Sequence, residues 1–211
     1  SQPLAGKKVG VLVENLYIPE EIRTYQNEFR TLGGEVHLLS RLWNQSSVRY
    51  VSDPDGLDDL GQPRNAETIK VDIDFQAVRL EDYAAIIMSA NYTSVRLRFF
   101  MPPEQPEDAP AVRFFAQAME NHRIIKGALC HGLWILSPRP DLLRGRRVIC
   151  HEVVRADVLN AGAIYTVSPD NVVVDRDLVT GRSKEDVHTF VRRIVQAVRE
   201  QELNAFKGGM S

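Results

Sequence analysis

Short apolar segments alternate with amphipathic segments along the chain, and this alternation restricts the fold more than any other feature. Lys8–Val13 (KVGVLV) is a continuous apolar run, as expected of a strand buried on both faces. Apolar residues in Pro19–Leu32 are spaced three or four apart, which predicts a helix that starts near Pro19 and ends at Gly33-Gly34. Glu35–Leu39 predicts the next strand. The alternation predicts an α/β fold with a mostly parallel sheet and helices on both faces.

The same alternation continues to the end of the chain and predicts one domain over residues 1–211, with neither repeats nor a linker. Further strands are predicted at Asp82–Ser89, Arg123–Leu129, Arg147–Cys150, Ile164–Val167 and Val172–Asp175, and further helices at Ala111–Glu120 and Lys184–Glu202. Two inserted segments break the pattern. Residues 43–70 are polar and predict a hairpin before a strand at Val71–Phe75, and residues 91–110 predict an irregular loop that is a lid, an interface element or a solvated excursion.

Composition excludes several classes of function. The formal net charge is -2 with both signs interspersed, which argues against a nucleic-acid partner. No apolar run reaches the roughly 20 residues of a membrane helix, and the first residues lack the pattern of a secretion signal. The two cysteines, Cys130 and Cys150, are too few for a disulfide framework or a structural zinc site. We therefore expect a cytoplasmic protein without a metal.

Cys130 lies where a predicted strand meets a predicted helix, in the stretch KGALCHGLWIL. Ligands of open α/β sheets bind at the carboxyl ends of strands, and this turn is similar to a G-x-S-x-G nucleophile elbow with sulfur in place of oxygen. Gly132 allows the helix to pass close to the strand. Amides at a helix N-terminus and the adjacent His131 favour a thiolate, which predicts a reactive cysteine. The alternative is a buried, inert cysteine, which is common for this residue type.

The stretch ALCHGLWIL also resembles the A-x-C-H-G-x-x-x-L elbow of the ThiJ/PfpI superfamily, which includes the Parkinson-associated deglycase and PfpI-type intracellular proteases. KKVGVLVENLYIPEEI, RTLGGEVHLLS, LLRGRRVICHEV and VVVDRDLVTGRSKEDVHTFVRRIV resemble further segments of that family, in the same order. The resemblance covers most of the chain. It implies a three-layer sandwich of the flavodoxin-like, class I glutamine amidotransferase-like type.

The resemblance implies a nucleophilic role for Cys130 and a partner role for Glu21, which ends the loop after the first strand. A protonated Glu21 would donate a hydrogen bond to the thiolate, and a buried carboxyl beside an anion should have a raised pKa. The alternative is that Glu20 and Glu21 are exposed first-turn acids that complement the helix dipole.

Two histidines match site positions in different branches of the family. His131 matches the PfpI branch and His151 matches the deglycase branch, and both remain candidates. Strand alternation would place Cys150 and His151 on opposite faces, so Cys150 is predicted to lie in the core rather than to pair with Cys130.

Two departures from the family pattern affect the expected function. Ser89-Ala90-Asn91 replaces a P-G-G stretch, so we expect a different loop shape, with the amides of Ala90 or Asn91 joining that of His131 as oxyanion donors. Thr93 and Ser94 lie where the PfpI branch has an acid, which weakens the interpretation as a peptidase. An amidotransferase is excluded because His151-Glu152 lacks the H-x-E spacing.

These observations predict a cofactor-free cysteine enzyme acting on small reactive carbonyl compounds, similar to a glyoxalase or deglycase. The alternatives are a thiol redox sensor without turnover and a cysteine peptidase or holdase. The resemblance also implies a homodimer or higher homo-oligomer, with Phe99, Phe100 and Met101 as an apolar interface candidate. Coverage of the chain's own core is the alternative for the two phenylalanines.

Overall fold

The computed structural model describes residues 2–209, which fold into ten β-strands and five α-helices. The strands are Lys8–Leu12 (β1), Glu35–Leu39 (β2), Val48–Val51 (β3), Thr68–Val71 (β4), Ala85–Met88 (β5), Ile125–Leu129 (β6), Arg147–Val148 (β7), Ile164–Tyr165 (β8), Val172–Asp175 (β9) and Leu178–Gly181 (β10). The helices are Pro19–Thr31 (α1), Thr93–Leu97 (α2), Pro110–Glu120 (α3), Glu152–Asn160 (α4) and Val187–Gly209 (α5).

Six strands form the central sheet in the order β2-β1-β5-β6-β10-β9. The first five are parallel, and β9 runs antiparallel to β10 at one edge. Successive side chains face opposite sides, so Val9 and Val11 enter one core while Leu12 enters the other. The predicted α/β class with a mostly parallel sheet is confirmed.

Helices cover both faces of this sheet. Helices α1 and α5 pack together on one face, where Phe29 and Phe190 are fully buried. On the other face, Phe115 of α3 and Val154 of α4 belong to a second core cluster. The result is the three-layer arrangement that the resemblance implied. No helix within residues 2–209 has both the length and the apolar character needed to cross a bilayer.

The predicted strand at Val71–Phe75 is wrong, whereas a hairpin does precede it. Strands β3 and β4 pair antiparallel, and β4 ends at Val71. Asp74 then turns the chain, since its carboxylate accepts hydrogen bonds from the amides of Gln76 and Leu42. Asp74 itself forms an isolated parallel bridge with Ser40, and the 3₁₀ turn that starts at Phe75 keeps this pairing from extending into a strand.

Two other segments also differ from prediction. Residues 91–110 hold the short helix α2 and are not irregular throughout, and α4 was not predicted. Strands β7 and β8 are shorter than predicted and pair with each other instead of joining the central sheet. Because Cys150 and His151 lie beyond β7, strand alternation does not apply to them. Cys150 is nevertheless a free, buried core residue, as predicted.

Gly132 holds the turn after β6 close to the end of β5. A Cβ atom at this position would lie 2.9 Å from the backbone oxygen of Met88 and 3.2 Å from Cβ of Ala128. Backbone atoms of a central strand can be displaced only at a substantial cost in free energy, because the interior is closely packed.

We therefore expect Gly132→Ala to lower the free energy of unfolding by about 1–3 kcal/mol, measured by urea denaturation. Gly209→Ala is the matched control, because nothing lies within 4 Å of the added Cβ atom there. Equal stability of the two variants would contradict the close approach between Gly132 and β5.

Candidate active site

Cys130 directly follows β6 and has a left-handed backbone conformation, with φ of +62°. Its amide donates to the carbonyl of Gly181 at 2.9 Å, and its carbonyl accepts from the amide of His151 at 3.0 Å. The helix after it, Gly132–Leu136, is a single short 3₁₀ segment instead of the α-helix that was expected. The turn thus has an elbow shape, but the expected α-helix dipole is missing.

Two backbone amides point at the sulfur, and they belong to Asn91 and His131. The amide of Ala90, expected to be a free oxyanion donor, instead donates to both carboxyl oxygens of Glu21 at 2.9 and 3.0 Å. Asn91 has φ of +62°, and its side-chain amide donates to the carbonyl of Leu16 at 2.7 Å. Asparagine tolerates this conformation, so the loop retains a left-handed residue although the glycines are absent.

Glu21 lies in the core and does not complement the helix dipole at the surface. Its exposed fraction is 1%, whereas Glu20 is exposed and forms a loose ion pair with Arg23. The hydroxyl of Tyr25 donates to Oε2 of Glu21 at 2.5 Å. Burial raises the pKa of Glu21 to about 7, opposed by the hydrogen bonds from Tyr25 and the Ala90 amide. The carboxyl can therefore carry a proton near neutral pH.

Tyr25 was not predicted as a site residue. Its spacing of four from Glu21 on one helix face was the available signal, because such pairs are neighbours. Tyr25 is fully buried, and burial together with the charge of Glu21 raises the pKa of its phenol well above the usual value. The hydroxyl therefore stays protonated and acts as a donor to Glu21.

Cys130 and His131 form a close pair, with Sγ 3.0 Å from Nδ1. Burial raises the pKa of the Cys130 thiol to about 11, against the opposing effect of the two amides, and the charge of Glu21 adds to the rise. Burial and the proximity of His151 lower the pKa of His131 to about 4. Burial therefore favours a neutral thiol beside a neutral imidazole and opposes the thiolate that the sequence predicts.

His151 caps the N-terminus of α4 and stacks on His131. Its Nδ1 accepts from the amide of Val153 at 3.2 Å, which places the proton of the neutral ring on Nε2. The two imidazoles lie 4.3 Å apart at an interplanar angle of 21°. The structure therefore brings both candidate histidines to the sulfur.

The three side chains do not fit a metal ion. One potential ligand atom of each of Cys130, His131 and His151 lies within 4.8 Å of the others. However, ligand lone pairs lie in the imidazole plane, and two stacked rings direct them side by side instead of toward a common point. Nδ1 of His151 is also engaged with Val153.

A pocket of about 260 Å³ opens onto the sulfur. Its lining residues are Ile18, Asp53, Ala90, Asn91, Cys130, His131, His151, Ser183, Lys184 and Glu185. Asp53 follows β3, and residues 183–185 precede α5; neither segment was predicted to lie at the site. Glu21 and Tyr25 are not part of the lining and lie behind it. The arrangement can present a thiol and two imidazoles to a small bound molecule.

A sequence model of the DJ-1/PfpI family matches residues 7–197. An uncharacterized protein of Staphylococcus haemolyticus is 27% identical over 195 residues, which cover 92% of this chain and 98% of that protein. The protein of Bacillus subtilis named "Putative cysteine protease YraA" is 28% identical over 136 residues, which cover 64% of this chain and 73% of that protein.

Solved structures show the same fold. A two-domain protein of Anabaena variabilis with DJ-1/ThiJ/PfpI-like and ferritin-like domains superimposes with a TM-score of 0.71 at 25% identity. The match covers 90% of this chain and 47% of that longer chain. DJ-1 of Schizosaccharomyces pombe has a TM-score of 0.69 at 13% identity, covering 95% of this chain and 97% of that chain.

The buried carboxyl of Glu21 makes stability depend on pH. Because its pKa rises from 4.5 in the unfolded chain to about 7 in the folded protein, the folded state holds a proton that the unfolded state releases. The protonated carboxyl of Glu21 stabilises the folded state fully below pH 4.5, and this stabilisation is lost as the pH rises through 7. The difference between the two pKa values corresponds to about 3 kcal/mol of unfolding free energy.

Between pH 4 and pH 8, wild-type protein should therefore lose about 3 kcal/mol more unfolding free energy than Glu21→Gln, measured by urea denaturation. Glu20→Gln, which alters the exposed neighbour, should behave as wild type. Parallel pH profiles for wild type and Glu21→Gln would contradict the raised pKa of Glu21.

Proposed function

This chain belongs to the DJ-1/PfpI family, and we propose that it is a cysteine-dependent enzyme that converts small reactive carbonyl compounds without a cofactor. The observation that supports this proposal most directly is the contact of 3.0 Å between Sγ of Cys130 and Nδ1 of His131 at the floor of a small pocket. His131 is unprotonated and in contact with the thiol, so it can receive the thiol proton as the sulfur attacks. Its lowered pKa makes it a weak base, and the bond that the sulfur forms to the carbonyl carbon drives the transfer.

The first step adds the thiol across an aldehyde. The sulfur forms a bond to the carbonyl carbon, the thiol proton passes to His131, and the same proton then neutralises the alkoxide. The product is a hemithioacetal on Cys130. The amides of Asn91 and His131, which point at the sulfur, are the donors nearest the developing negative charge.

For a 2-oxoaldehyde such as methylglyoxal, a proton shift completes the reaction. The hydrogen on the hemithioacetal carbon leaves as a proton, and the oxygen of the adjacent carbonyl gains a proton, which gives an enediol. The hydroxyl proton on the first carbon then leaves and a proton is added to the second carbon, which gives a thioester of a 2-hydroxy acid. Water then hydrolyses the thioester, releasing the hydroxy acid and restoring the thiol. The reaction as a whole adds one water and requires no external oxidant or reductant.

His151 is better placed than Glu21 to move that proton. His151 lines the pocket, whereas Glu21 lies behind the sulfur with its oxygens engaged by Tyr25 and Ala90. We assign Glu21 to controlling the charge next to the sulfur, since its ionised form raises the pKa of the thiol. Protonation of Glu21 removes that opposing charge.

The alternative functions are less well supported. A redox sensor needs an accessible thiolate, and the raised pKa of the Cys130 thiol opposes this. The relative named as a cysteine protease favours hydrolysis of peptides as the second candidate function. Against it, Thr93 and Ser94 are fully buried, so this region supplies neither an acid nor an exposed polar group to a peptide.

Purified protein given methylglyoxal without glutathione should form lactate. Cys130→Ala should lose at least about 10³-fold in kcat/KM, because the covalent route is removed. Cys150→Ala, the matched control, should keep turnover. His151→Asn should lose about 10²-fold or more.

Turnover that survives in Cys130→Ala would overturn the proposal. A larger loss in Glu21→Gln than in His151→Asn would transfer the proton-moving role to Glu21. Cleavage of a fluorogenic casein by wild type but not by Cys130→Ala, with no lactate formed, would favour the peptidase instead.

A further inference from the structure

A second pocket, which shares no lining residue with the one at Cys130, lies between the segment after β1 and the helix α2. Its volume is about 660 Å³, within the roughly 300–1,000 Å³ typical of small-molecule sites. It is lined by Glu14, Trp43, Val95, Arg96, Arg98, Phe99, Phe100, Pro106 and Pro138. The lining therefore combines cationic and aromatic side chains.

Each arginine of this pocket has an acid in its neighbourhood, Glu14 for Arg96 and Asp157 for Arg98, but no direct bond to it among the described residues. Among residues 2–209, the guanidinium groups of Arg96 and Arg98 make no hydrogen bond or ion pair. Arg98 is half-buried, and burial lowers its pKa. A partly desolvated guanidinium without a hydrogen-bond partner is unfavourable, so an anion bound directly to it would stabilise the protein.

A third arginine and one acid complete the charges around the pocket. Arg41 lies 3.6 Å over the ring of Trp43, and its Nη1 is buried without a hydrogen-bond partner among the described residues. Glu14 is the acidic lining residue, and burial raises the pKa of its carboxyl. The amide of Asn15 donates to this carboxylate at 2.7 Å, and this bond and the charge of Arg96 oppose the rise in pKa. The lining holds two arginines and one acid, so it favours an anion.

Aromatic rings beside these arginines remain exposed. Phe99 is 54% exposed and meets Trp43 edge to face, with ring centroids 5.8 Å apart. Phe100 instead packs against the core, which was the alternative predicted for it, and lies next to Phe99 in the pocket lining. Exposed rings next to arginines are the usual elements of a surface on which a nucleobase stacks.

We propose that this pocket binds a nucleoside monophosphate, with the base against Phe99 and Trp43 and the phosphate on Arg98 and Arg96. Arginine suits this role because its planar fork can donate two hydrogen bonds to one phosphate. The site needs neither Cys130 nor turnover, so it stands independently of the proposed reaction.

Isothermal titration calorimetry with adenosine 5′-monophosphate, adenosine and inorganic phosphate tests both halves of the site. The monophosphate should bind at least about tenfold more tightly than adenosine or phosphate alone, since each lacks one set of contacts. Cys130→Ala should bind the monophosphate as wild type does. Absence of monophosphate binding by the wild type would overturn the proposal.

Arg98→Met and Arg96→Met should each weaken monophosphate binding by about tenfold or more while leaving adenosine binding unchanged. Arg96 is exposed, so its replacement should not affect folding even if that of Arg98 does. Arg192→Met, on the exposed face of α5, is the matched control. Unchanged monophosphate binding in Arg96→Met and Arg98→Met would overturn the site. A second result would also overturn it: the wild type is a dimer in sedimentation velocity, Phe99→Asp dissociates this dimer, and the monophosphate does not.

Discussion

The left-handed backbone of Cys130 is the constraint on which the candidate active site depends. A non-glycine residue in this conformation costs about 1–2 kcal/mol, and hydrogen bonds to Gly181 and from His151 hold it in place. The turn lifts the sulfur out of the strand, where His131 can reach it at 3.0 Å. It also requires a residue without a side chain at position 132, because the chain doubles back against Met88.

Burial of Glu21 is the second condition, and it joins three parts of the chain. The carboxyl comes from the first turn of α1, is held by Tyr25 one turn later, and accepts the amide of Ala90 after β5. Placing a carboxyl in this environment raises its pKa and makes its charge depend on pH near neutrality. That charge in turn opposes ionisation of the Cys130 thiol, so protonation of Glu21 favours the thiolate.

Most strands and helices of the fold could be predicted because their apolar patterns are local. The family resemblance directed attention to Cys130, Glu21 and both histidines, and the structure brings all four together. The sequence could not show which backbone amide, that of Ala90 or that of Asn91, faces the sulfur, because the direction of an amide depends on backbone angles that composition does not reveal. Tyr25 was read only as a core residue, since its hydroxyl gains a role solely through the buried carboxyl beside it. The strand expected at Val71–Phe75 did not form because a 3₁₀ turn capped by Asp74 starts at Phe75, which leaves an isolated bridge between Asp74 and Ser40.

By itself the sequence determined the α/β class, the family and the position of the cysteine at a strand end, since these follow from periodicity and short contiguous motifs. Only the tertiary structure decided that burial opposes ionisation of the thiol, that Glu21 lies behind the pocket, and that arginines and exposed rings share a second pocket. These properties depend on how deeply each side chain is buried and on the distances between side chains. Contacts between residues far apart in sequence, such as Glu21 and Ala90, determine both. The physical reason is that a pKa depends on the surroundings that folding assembles around a group, which no local pattern specifies.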